Sequence, residues 1–436
     1  MLSILSDSRS RDCAGMLRRD FLKVGALGAG ALTLPGLLAA RAEAKAQGKP
    51  VKDTAIVWVW LAGGPTQMET FDPHMNAPVE YRSTTGHVRT KLPGVTIGGT
   101  FPKIARVADK MAFVRSFAHN NSGHVGGTHF VNTGYDNRNI DNGGAPARPA
   151  LGAIVSRVRG TNHRVTGMPT YVALNRLRSG IDGPAFLGTS YGPFDPKGQA
   201  LKNLSLAVPE KRVGDRRFLL ASLDRLKREA DATGAMTGMD RFEQQAFDLV
   251  LGGAPAAFNI KQESSKTRAR YGKGIGEQLL QARRLCEAGC GFVTLSYNGW
   301  DMHNGIEKRM KQRSPSLDQA IAAFVDDIHQ RGLSDRIMLV ITGEFGRTPK
   351  VNGKGGRDHW APLSTLAVSG GGLKTGQVVG ESMPKGDVPK SVPIRPQDLM
   401  ATVFDVLGID RQTQFISNAG RPVYMIEDGE PIAELL

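Results

Sequence analysis

Cysteine and aromatic residues are scarce in this sequence. Its 436 residues include 3 Cys and 4 Trp, and aromatic residues make up 6% of the chain. Cys13 lies near the N-terminus, which leaves Cys286 and Cys290 in the remainder. These two cysteines share one face of a predicted helix, where a disulfide within one helical turn would be strained. We therefore expect both to be small buried side chains.

The sequence has a single long apolar run, at residues 24–40. This run holds about 17 residues rich in Gly and Ala, whereas a membrane span needs roughly 20. It follows Arg18-Arg19 and precedes small residues at 42–46, the pattern of a twin-arginine export signal. We therefore predict a signal peptide at residues 1–46, recognition by the twin-arginine export machinery, and a periplasmic or extracellular protein with no stable membrane span after processing.

A recognisable nucleic-acid module is also absent. The formal net charge is +15 and 22% of the residues are charged, but no block of Lys and Arg is interleaved with aromatic residues. The positive charge therefore favours either solvated basic faces or an anionic ligand, such as a small molecule or glycan, and argues against nucleic acid.

Apolar runs and helical periodicity alternate along the chain. This alternation predicts a mostly parallel sheet covered by helices on both faces, an α/β fold of the α/β/α sandwich type. Strand signals fade at about 180–270, where we expect a helical insertion. The predicted strands are 56–61, 111–117, 292–297, 336–342 and 364–369, and the predicted helices are 101–108, 276–288, 317–331 and 397–407.

Polar side chains that can bind ligands follow the predicted strands. Asp301 and His303 follow the strand at 292–297, Glu344 and Arg347 follow the strand at 336–342, and His359 lies slightly further on. The carboxyl ends of parallel strands meet at one edge of a sheet, which is where such folds carry their chemistry. We therefore expect these side chains at one edge.

A Gly-rich segment after the strand at 111–117 adds two histidines. His124 and His129 can reach the same edge, or can be hydrogen-bonded loop residues. The loop after the first strand contributes Glu69 and Asp72 as further candidate carboxylates.

Five segments of the sequence look familiar. Together they resemble an exported bacterial family known only as domain of unknown function 1501, and the resemblance extends over residues 54–436. That family in turn resembles the alkaline phosphatase and sulfatase superfamily, which implies an alkaline-phosphatase-like α/β/α sandwich. The segments are LAGGPTQMETFDP, SGHVGGTHFVNTGY, GWDMH, GEFGRTPKVNG and GRDHW.

The superfamily resemblance implies a metal site on three residues of this chain. Asp301 and His303 match one loop of the superfamily's site, and His359 matches its final histidine. A carboxylate and two imidazoles can hold a divalent metal ion, with zinc as the candidate, and leave a fourth position open.

The other half of the superfamily's site differs in this chain. Ala62-Gly63-Gly64 stands where the first-strand carboxylate is expected, and Glu344-Phe345 stands where an Asp-His pair is expected. The nucleophile slot before Thr133-Gly134 holds His124, with Thr128 close by. These departures leave open whether the usual nucleophile exists.

Four residues are the candidates for catalysis. Glu344 is a candidate general base or extra metal ligand, or alternatively a structural ion-pair partner of Arg347 or Arg357. Arg347 is a candidate clamp for an anionic group. His124 and Thr128 occupy the region of the expected nucleophile.

Two functions of different classes remain open from the sequence. The first is an exported metal-dependent hydrolase that acts on a phosphate or sulfate ester. The alternative is a non-catalytic member of the fold that binds an anionic glycan or an exported protein partner.

Overall fold

The computed structural model describes residues 53–197 and 254–436. The predicted signal peptide and most of the predicted helical insertion lie outside these residues. Within the described ranges, no helix has both the length and the apolar character that a membrane crossing needs.

The described residues contain thirteen strands, several of them very short. They are β1 (Ala55–Trp60), β2 (His87–Arg89), β3 (Thr96–Gly98), β4 (Ala112–Val114), β5 (Tyr171–Ala173), β6 (Phe292–Ser296), β7 (Ile337–Thr342), β8 (Gly346–Arg347), β9 (His359–Trp360), β10 (Leu366–Gly370), β11 (Gln377–Val379), β12 (Gln414–Ile416) and β13 (Pro422–Tyr424).

Eight α-helices accompany these strands in the described ranges. They are α1 (Pro102–Arg106), α2 (His124–Thr133), α3 (Leu151–Arg159), α4 (Pro255–Phe258), α5 (Ser265–Tyr271), α6 (Ile275–Glu287), α7 (Ile306–Gln330) and α8 (Pro396–Leu407).

Seven strands form one mixed sheet in the order β11-β4-β10-β7-β1-β6-β5. Only β10 runs antiparallel to its neighbours β4 and β7, and the other adjacent pairs are parallel. The mostly parallel sheet expected from the sequence is therefore confirmed.

Alternate residues of β1 face the two opposite layers of the core. Val57 and Val59 belong to a buried cluster with α6 and α7. Ile56, Trp58 and Trp60 belong to a second buried cluster with α3 and α8. Each fully buried large side chain contributes about 1.5–3 kcal/mol relative to an exposed one. Helices on both faces of the sheet confirm the α/β/α sandwich.

Two helices differ from the sequence prediction. α7 begins at Ile306, well before the predicted start at residue 317, and contains Pro315 in its interior. Proline usually ends a helix because it lacks a backbone N–H. The segment that starts at His124 forms α2 rather than the predicted loop, although it contains Gly126 and Gly127.

Candidate metal centre

The site lies at the carboxyl ends of the central strands. The loop after β6 carries Asp301 and His303, and the chain after β7 carries Glu344. The short strands β8 and β9 pair antiparallel with Arg347 opposite His359, which holds these two residues side by side. The expected convergence on one edge of the sheet is therefore present.

Three candidate ligand atoms form a small triangle. Asp301 Oδ1 lies 3.0 Å from His303 Nε2 and 3.3 Å from His359 Nε2. The two Nε2 atoms lie 3.1 Å apart. A tetrahedral metal with ligands at about 2.0–2.1 Å places neighbouring ligand atoms about 3.3 Å apart. The triangle therefore has the size that a zinc-like ion requires.

The opposite side of each imidazole ring is held by a hydrogen-bond acceptor. His303 Nδ1 lies 2.6 Å from Asp358 Oδ1, and His359 Nδ1 lies 3.0 Å from the carbonyl oxygen of Ser122. A carboxylate and a carbonyl can only accept, so each Nδ1 carries the ring proton. In the neutral rings both Nε2 atoms therefore present lone pairs to Asp301, as metal-binding histidines do.

The charges at the triangle agree with an ionised Asp301 and a neutral His359. Burial alone would raise the pKa of Asp301, but the hydrogen bond and charge of Arg347 and the neighbouring imidazoles hold it well below its usual range. The pKa of His359 is lowered by burial and by the charges of Arg347 and His124. An ionised carboxylate beside a neutral imidazole is the protonation state that binds a metal.

His124 lies on the other side of the Asp301 carboxylate. Its Nε2 is 3.4 Å from Asp301 Oδ2, and its Nδ1 is 2.8 Å from Glu344 Oε1. The hydrogen bond to Glu344 is the main cause of its raised pKa. His124, Asp301 and His359 also offer ligand atoms within 4.8 Å of one another. A second set of three ligands thus shares Asp301 and His359 with the first.

Glu344 is a buried partner of His124. Its Oε1 accepts the backbone N–H of Gly63 at 2.8 Å in addition to the His124 ring proton. Its Oε2 is buried and has no hydrogen-bond partner within the described ranges. Because Glu344 is only 3% exposed, it acts on the site through His124. The alternative ion pairs with Arg347 or Arg357 are not the contacts that it makes.

The buried guanidinium of Arg347 donates hydrogen bonds to several acceptors of the protein. Nη2 donates to Asp301 Oδ1 at 2.6 Å and to the carbonyl oxygen of Gly63, and Nε donates to the carbonyl oxygen of Gly64 at 2.8 Å. Nη1 donates to the carbonyl oxygen of Arg357 and lies 3.5 Å from His303 Nε2. Arg347 therefore orients Asp301, and its donors are engaged by that carboxylate and by backbone carbonyl oxygens.

The superfamily resemblance predicts a carboxylate after the first strand, and in this chain glycine backbone lies at that place. Gly63 has a φ of +116°, and a Cβ there would lie 2.4 Å from the backbone N of Asp301. The backbone of Gly63 can therefore contact both Glu344 and Arg347 only because the residue has no side chain.

The two other candidate carboxylates are paired with other side chains. Glu69 is paired with Arg357, and neither side chain is exposed. Asp72 contacts His74 Nε2 at 2.9 Å and also pairs with Arg115. Both carboxylates are therefore structural, and neither replaces the missing ligand.

The remaining candidates near the nucleophile slot are held inside α2. The hydroxyl of Thr128 donates to the carbonyl oxygen of His124 at 2.6 Å. His129 is fully buried, with Nδ1 2.9 Å from the carbonyl oxygen of Tyr135. His129 is thus a hydrogen-bonded packing residue.

Phe345 packs against two of the imidazole rings, a contact that the sequence did not indicate. The Phe345 ring lies 4.4 Å from the ring of His359 and 5.1 Å from that of His124, centroid to centroid. Its apolar face therefore fixes both rings, a role that no spacing rule predicts.

Comparison with known proteins gives a family match and several similar structures. No curated protein matches. The similar structures include a PsFucS1 sulfatase from Pseudoalteromonas sp. (11% identity, 85% of this chain and 70% of that chain, TM-score 0.37) and a TAB5 alkaline phosphatase mutant (10%, 83% and 100%, 0.36). They also include a phosphonate monoester hydrolase of Agrobacterium radiobacter (11%, 88% and 77%, 0.35). The family model described as protein of unknown function DUF1501 matches residues 53–436. The chain therefore belongs to the DUF1501 family.

Proposed function

We propose that this protein is an exported, metal-dependent hydrolase of an anionic phosphate or sulfate ester. The observation that carries the proposal is the triangle of Asp301, His303 and His359, in which three acceptor atoms lie 3.0–3.3 Å apart. Arg347 donates to Asp301 Oδ1 at 2.6 Å, but the lone pairs of the two Nε2 atoms repel one another unless a proton or a further cation lies between them. The tautomers of both imidazoles favour the cation.

A divalent cation held there would supply a Lewis acid and activate water for attack on the ester. Asp301, His303 and His359 would hold it, with zinc as the candidate from the carboxylate and imidazole donors. Arg347 and Asp358 fix the orientations of Asp301 and His303 by their hydrogen bonds.

His124 is the residue best placed to move a proton. Its Nε2 lies beside Asp301 Oδ2, outside the triangle, and its Nδ1 proton is held by Glu344. The raised pKa that this hydrogen bond causes makes His124 a stronger base than a free imidazole. We assign proton transfer to Nε2 of His124 and the orientation of its ring to Glu344.

The site is open enough for an ester to reach it. The side chains of Asp301 and His303 are 43% and 41% exposed. The net charge of +15 favours approach of an anionic substrate, a small molecule or a glycan. The twin-arginine pattern of residues 1–46 supports export to the periplasm or beyond.

The first experiment measures metal content by inductively coupled plasma mass spectrometry. Protein purified after native export is compared with the Asp301→Ala, His359→Ala double variant and with His87→Ala, which changes an exposed histidine of β2. We expect about one ion per chain in wild type and His87→Ala, and none in the double variant. A folded wild type without metal would refute the proposal.

A second comparison separates ligands from the proton-transfer residue. We expect His303→Ala to lose the metal, and His124→Ala to keep it while losing hydrolysis of phosphate and sulfate esters. If His124→Ala lost the metal and His303→Ala kept it, His124 would belong to the ligand set in place of His303.

The non-catalytic alternative rests on one observation. The hydroxyl of Thr128 is bonded to the backbone of its own helix, and His124 occupies the slot where a nucleophile is expected. A protein that binds metal and anionic glycans but turns over no ester would support this alternative.

A further inference from the structure

Four Asn-Gly pairs occur in this sequence, all of them outside the proposed set of metal ligands. The side-chain amide of an asparagine can be attacked by the backbone nitrogen of the next residue, and glycine hinders this attack least because it has no side chain. Each pair is therefore a candidate site of spontaneous deamidation, and the structure distinguishes between them. The pairs are Asn142-Gly143, Asn298-Gly299, Asn304-Gly305 and Asn352-Gly353.

Three of these pairs are restrained by hydrogen bonds. The attacking nitrogen is already a donor in two of them: Gly143 N–H donates to a backbone carbonyl oxygen at 3.2 Å, and Gly305 N–H donates to another at 3.1 Å. In the third pair the side chain of Asn352 is held at both ends. Its Oδ1 accepts two backbone N–H groups, and its Nδ2 donates to the carbonyl oxygen of His303 and to Asp358 Oδ2. Hydrogen bonds must therefore break before any of these three pairs can react.

The remaining pair is exposed, and its attacking nitrogen is free. Asn298 and Gly299 are both exposed and lie in the loop between β6 and Asp301. Among the residues that the structure describes, the N–H of Gly299 has no hydrogen-bond acceptor. The side chain of Asn298 is bonded through Oδ1 to the hydroxyl of Ser296, which donates at 3.1 Å. The nitrogen of Gly299 can therefore approach Cγ of Asn298 without breaking a backbone hydrogen bond.

Two neighbours favour the reaction at this pair. The guanidinium of Arg313 lies beside Gly299, where a Cβ would be 3.3 Å from its Nε, and Nη2 donates to the carbonyl oxygen of Asn298. A positive charge at this place stabilises the deprotonated peptide nitrogen that attacks. The hydroxyl of Ser296 is bonded to Oδ1 of Asn298, so it stabilises the negative charge that develops on this oxygen as the ring closes.

We propose that Asn298 is a site of spontaneous deamidation and the first of the four asparagines to react. The nitrogen of Gly299 gives its proton to solvent and bonds to Cγ of Asn298. The bond between Cγ and Nδ2 then breaks, and Nδ2 leaves as ammonia with a proton taken from water. The resulting succinimide adds a water molecule: hydrolysis on one side of the ring nitrogen gives aspartate, and hydrolysis on the other gives isoaspartate, whose backbone is longer by a methylene group.

An isoaspartate at this position lengthens a short, anchored loop. The backbone N–H groups of Tyr297 and Trp300 donate to carbonyl oxygens at and just beyond the end of β1, at 2.8 and 3.2 Å. Asn298-Gly299 is the whole of the chain between these two anchors, so an extra methylene group displaces one of them. Asp301 directly follows the second anchor. We therefore expect isoaspartate at 298 to weaken the metal centre, a consequence that rests on the proposed function, whereas the deamidation itself does not.

The test is peptide mapping by mass spectrometry of folded full-length protein that has been incubated at mildly alkaline pH. Fragment ions place each conversion of an amide to a carboxylate and distinguish isoaspartate from aspartate. We expect Asn298 to convert at least about 5-fold faster than each of the other three asparagines, which is roughly the factor by which a single hydrogen bond restrains them. The chain unfolded in urea is the reference, and there we expect the four rates to be similar. Equal rates in the folded protein, or the same order in the unfolded chain, would overturn the proposal.

Three variants test the assignment to Asn298. Asn298→Gln requires a larger ring, which closes far more slowly, so we expect no conversion at 298 and unchanged rates elsewhere. Asn304→Gln is the matched control, because it changes another exposed amide of the same segment and should leave the rate at 298 unaltered. Ser296→Ala removes the hydroxyl bonded to Oδ1, and we expect conversion at 298 to slow by about 5-fold. A wild-type rate in Ser296→Ala would overturn the contribution of this hydroxyl.

Metal analysis of the incubated protein separates this proposal from the proposed function. We expect wild type to lose metal in proportion to the isoaspartate at 298, and Asn298→Gln to retain its metal over the same period. If fresh wild type holds no metal, the proposed function fails, and the peptide map still decides whether Asn298 deamidates. Modified protein that keeps its metal would overturn the expected effect of the longer loop on Asp301.

Discussion

Two carboxylates in this fold are each paired with a buried arginine, yet they differ in almost every other respect. Glu69 is paired with Arg357 and neither side chain is exposed. Asp301 is paired with Arg347, and its side chain is 43% exposed. Both arginines also donate to backbone carbonyl oxygens, so the arginine alone does not separate a structural carboxylate from a functional one.

The other neighbours of each carboxylate make the distinction. Glu69 accepts the hydroxyl of Thr66 at 2.6 Å and the backbone N–H of Thr84 at 3.0 Å, so it is surrounded by donors. Asp301 accepts one hydrogen bond from Arg347 at 2.6 Å, and it also faces ring nitrogens of His303 and His359 whose Nδ1 protons are held elsewhere. A carboxylate whose other neighbours are donors is satisfied by the protein, whereas one whose other neighbours are unprotonated ring nitrogens can share a metal ion with them.

The largest effect should come from changing the carboxylate that faces acceptors. Asp301→Asn keeps the size of the side chain and removes the charge, so we expect metal affinity to fall more than 100-fold. The reason is that changes to residues behind metal ligands already cost about 10–100-fold, and Asp301 is itself a proposed ligand. Competition with a chromophoric chelator measures the affinity, and unchanged affinity would show that Asp301 is no ligand.

The Glu69 carboxylate should show the opposite behaviour. Glu69→Gln leaves the charge of Arg357 buried without its partner, which should lower the free energy of unfolding by about 3–5 kcal/mol. Urea unfolding followed by circular dichroism measures this loss. We expect the metal content of the folded variant to match wild type. If Glu69→Gln were as stable as wild type but held no metal, Glu69 would serve the metal site and would not be a structural carboxylate.

A smaller effect should follow from weakening a residue behind the triangle. Asp358 holds the Nδ1 proton of His303, and this hydrogen bond is the main cause of the lowered pKa of Asp358. We expect Asp358→Asn to reduce metal affinity about 10–100-fold while the stoichiometry stays the same. Asp335→Asn is a matched control in a turn at the opposite edge of the sheet, and its affinity should equal that of wild type.

The smallest effect concerns the pH dependence of stability. Burial lowers the pKa of His119 from 6.5 to about 4, against a weaker opposing hydrogen bond to the backbone of Glu344. Between these two values the unfolded chain binds more protons than the folded chain. Stability should therefore fall as the pH drops from 6.5 to 4, by up to about 3 kcal/mol from this group.

The variant His119→Phe tests this source of pH dependence. The new ring fits the space between Phe117 and Phe130, which pack edge-on against His119. We expect its urea midpoint to change less between pH 6.5 and pH 4 than that of wild type, whatever its stability at pH 7. An identical pH profile would mean that His119 is not buried in its neutral form.

The central strands could be predicted from the sequence because their burial is continuous. Every residue of β1, β6 and β7 is buried, so β1 is an uninterrupted apolar run, and β6 and β7 are apolar apart from Thr and Ser. β5 and β11, of three residues each, were not among the predicted strands. Their place in the sheet depends on pairing with distant strands.

The helix α2 shows why sequence reasoning failed near the site. Gly126 and Gly127 weaken helix propensity, and the sequence therefore favoured a loop. In the structure a Cβ at Gly127 would lie 2.7 Å from the carbonyl oxygen of Glu344. The glycines allow α2 to approach the chain after β7 closely, a requirement visible only in three dimensions.

The candidate ligands could be named from the sequence, but their partners could not. Asp301, His303 and His359 were identified through the superfamily resemblance, and the structure brings them together. Whether Arg347 points to solvent or into the core depends on the carbonyl oxygens of Gly63 and Gly64. Backbone acceptors leave no signature in a sequence.

The position of β1 in the middle of the sheet has a consequence for how the chain folds. β1 begins at Ala55, but its partners Phe292 and Ile337 lie far along the chain. Closing such large loops is slow, because the intervening chain loses conformational entropy before the paired strands contribute any stabilisation. β1, the first strand of the described residues, must therefore wait for its partners until most of the protein has been synthesised.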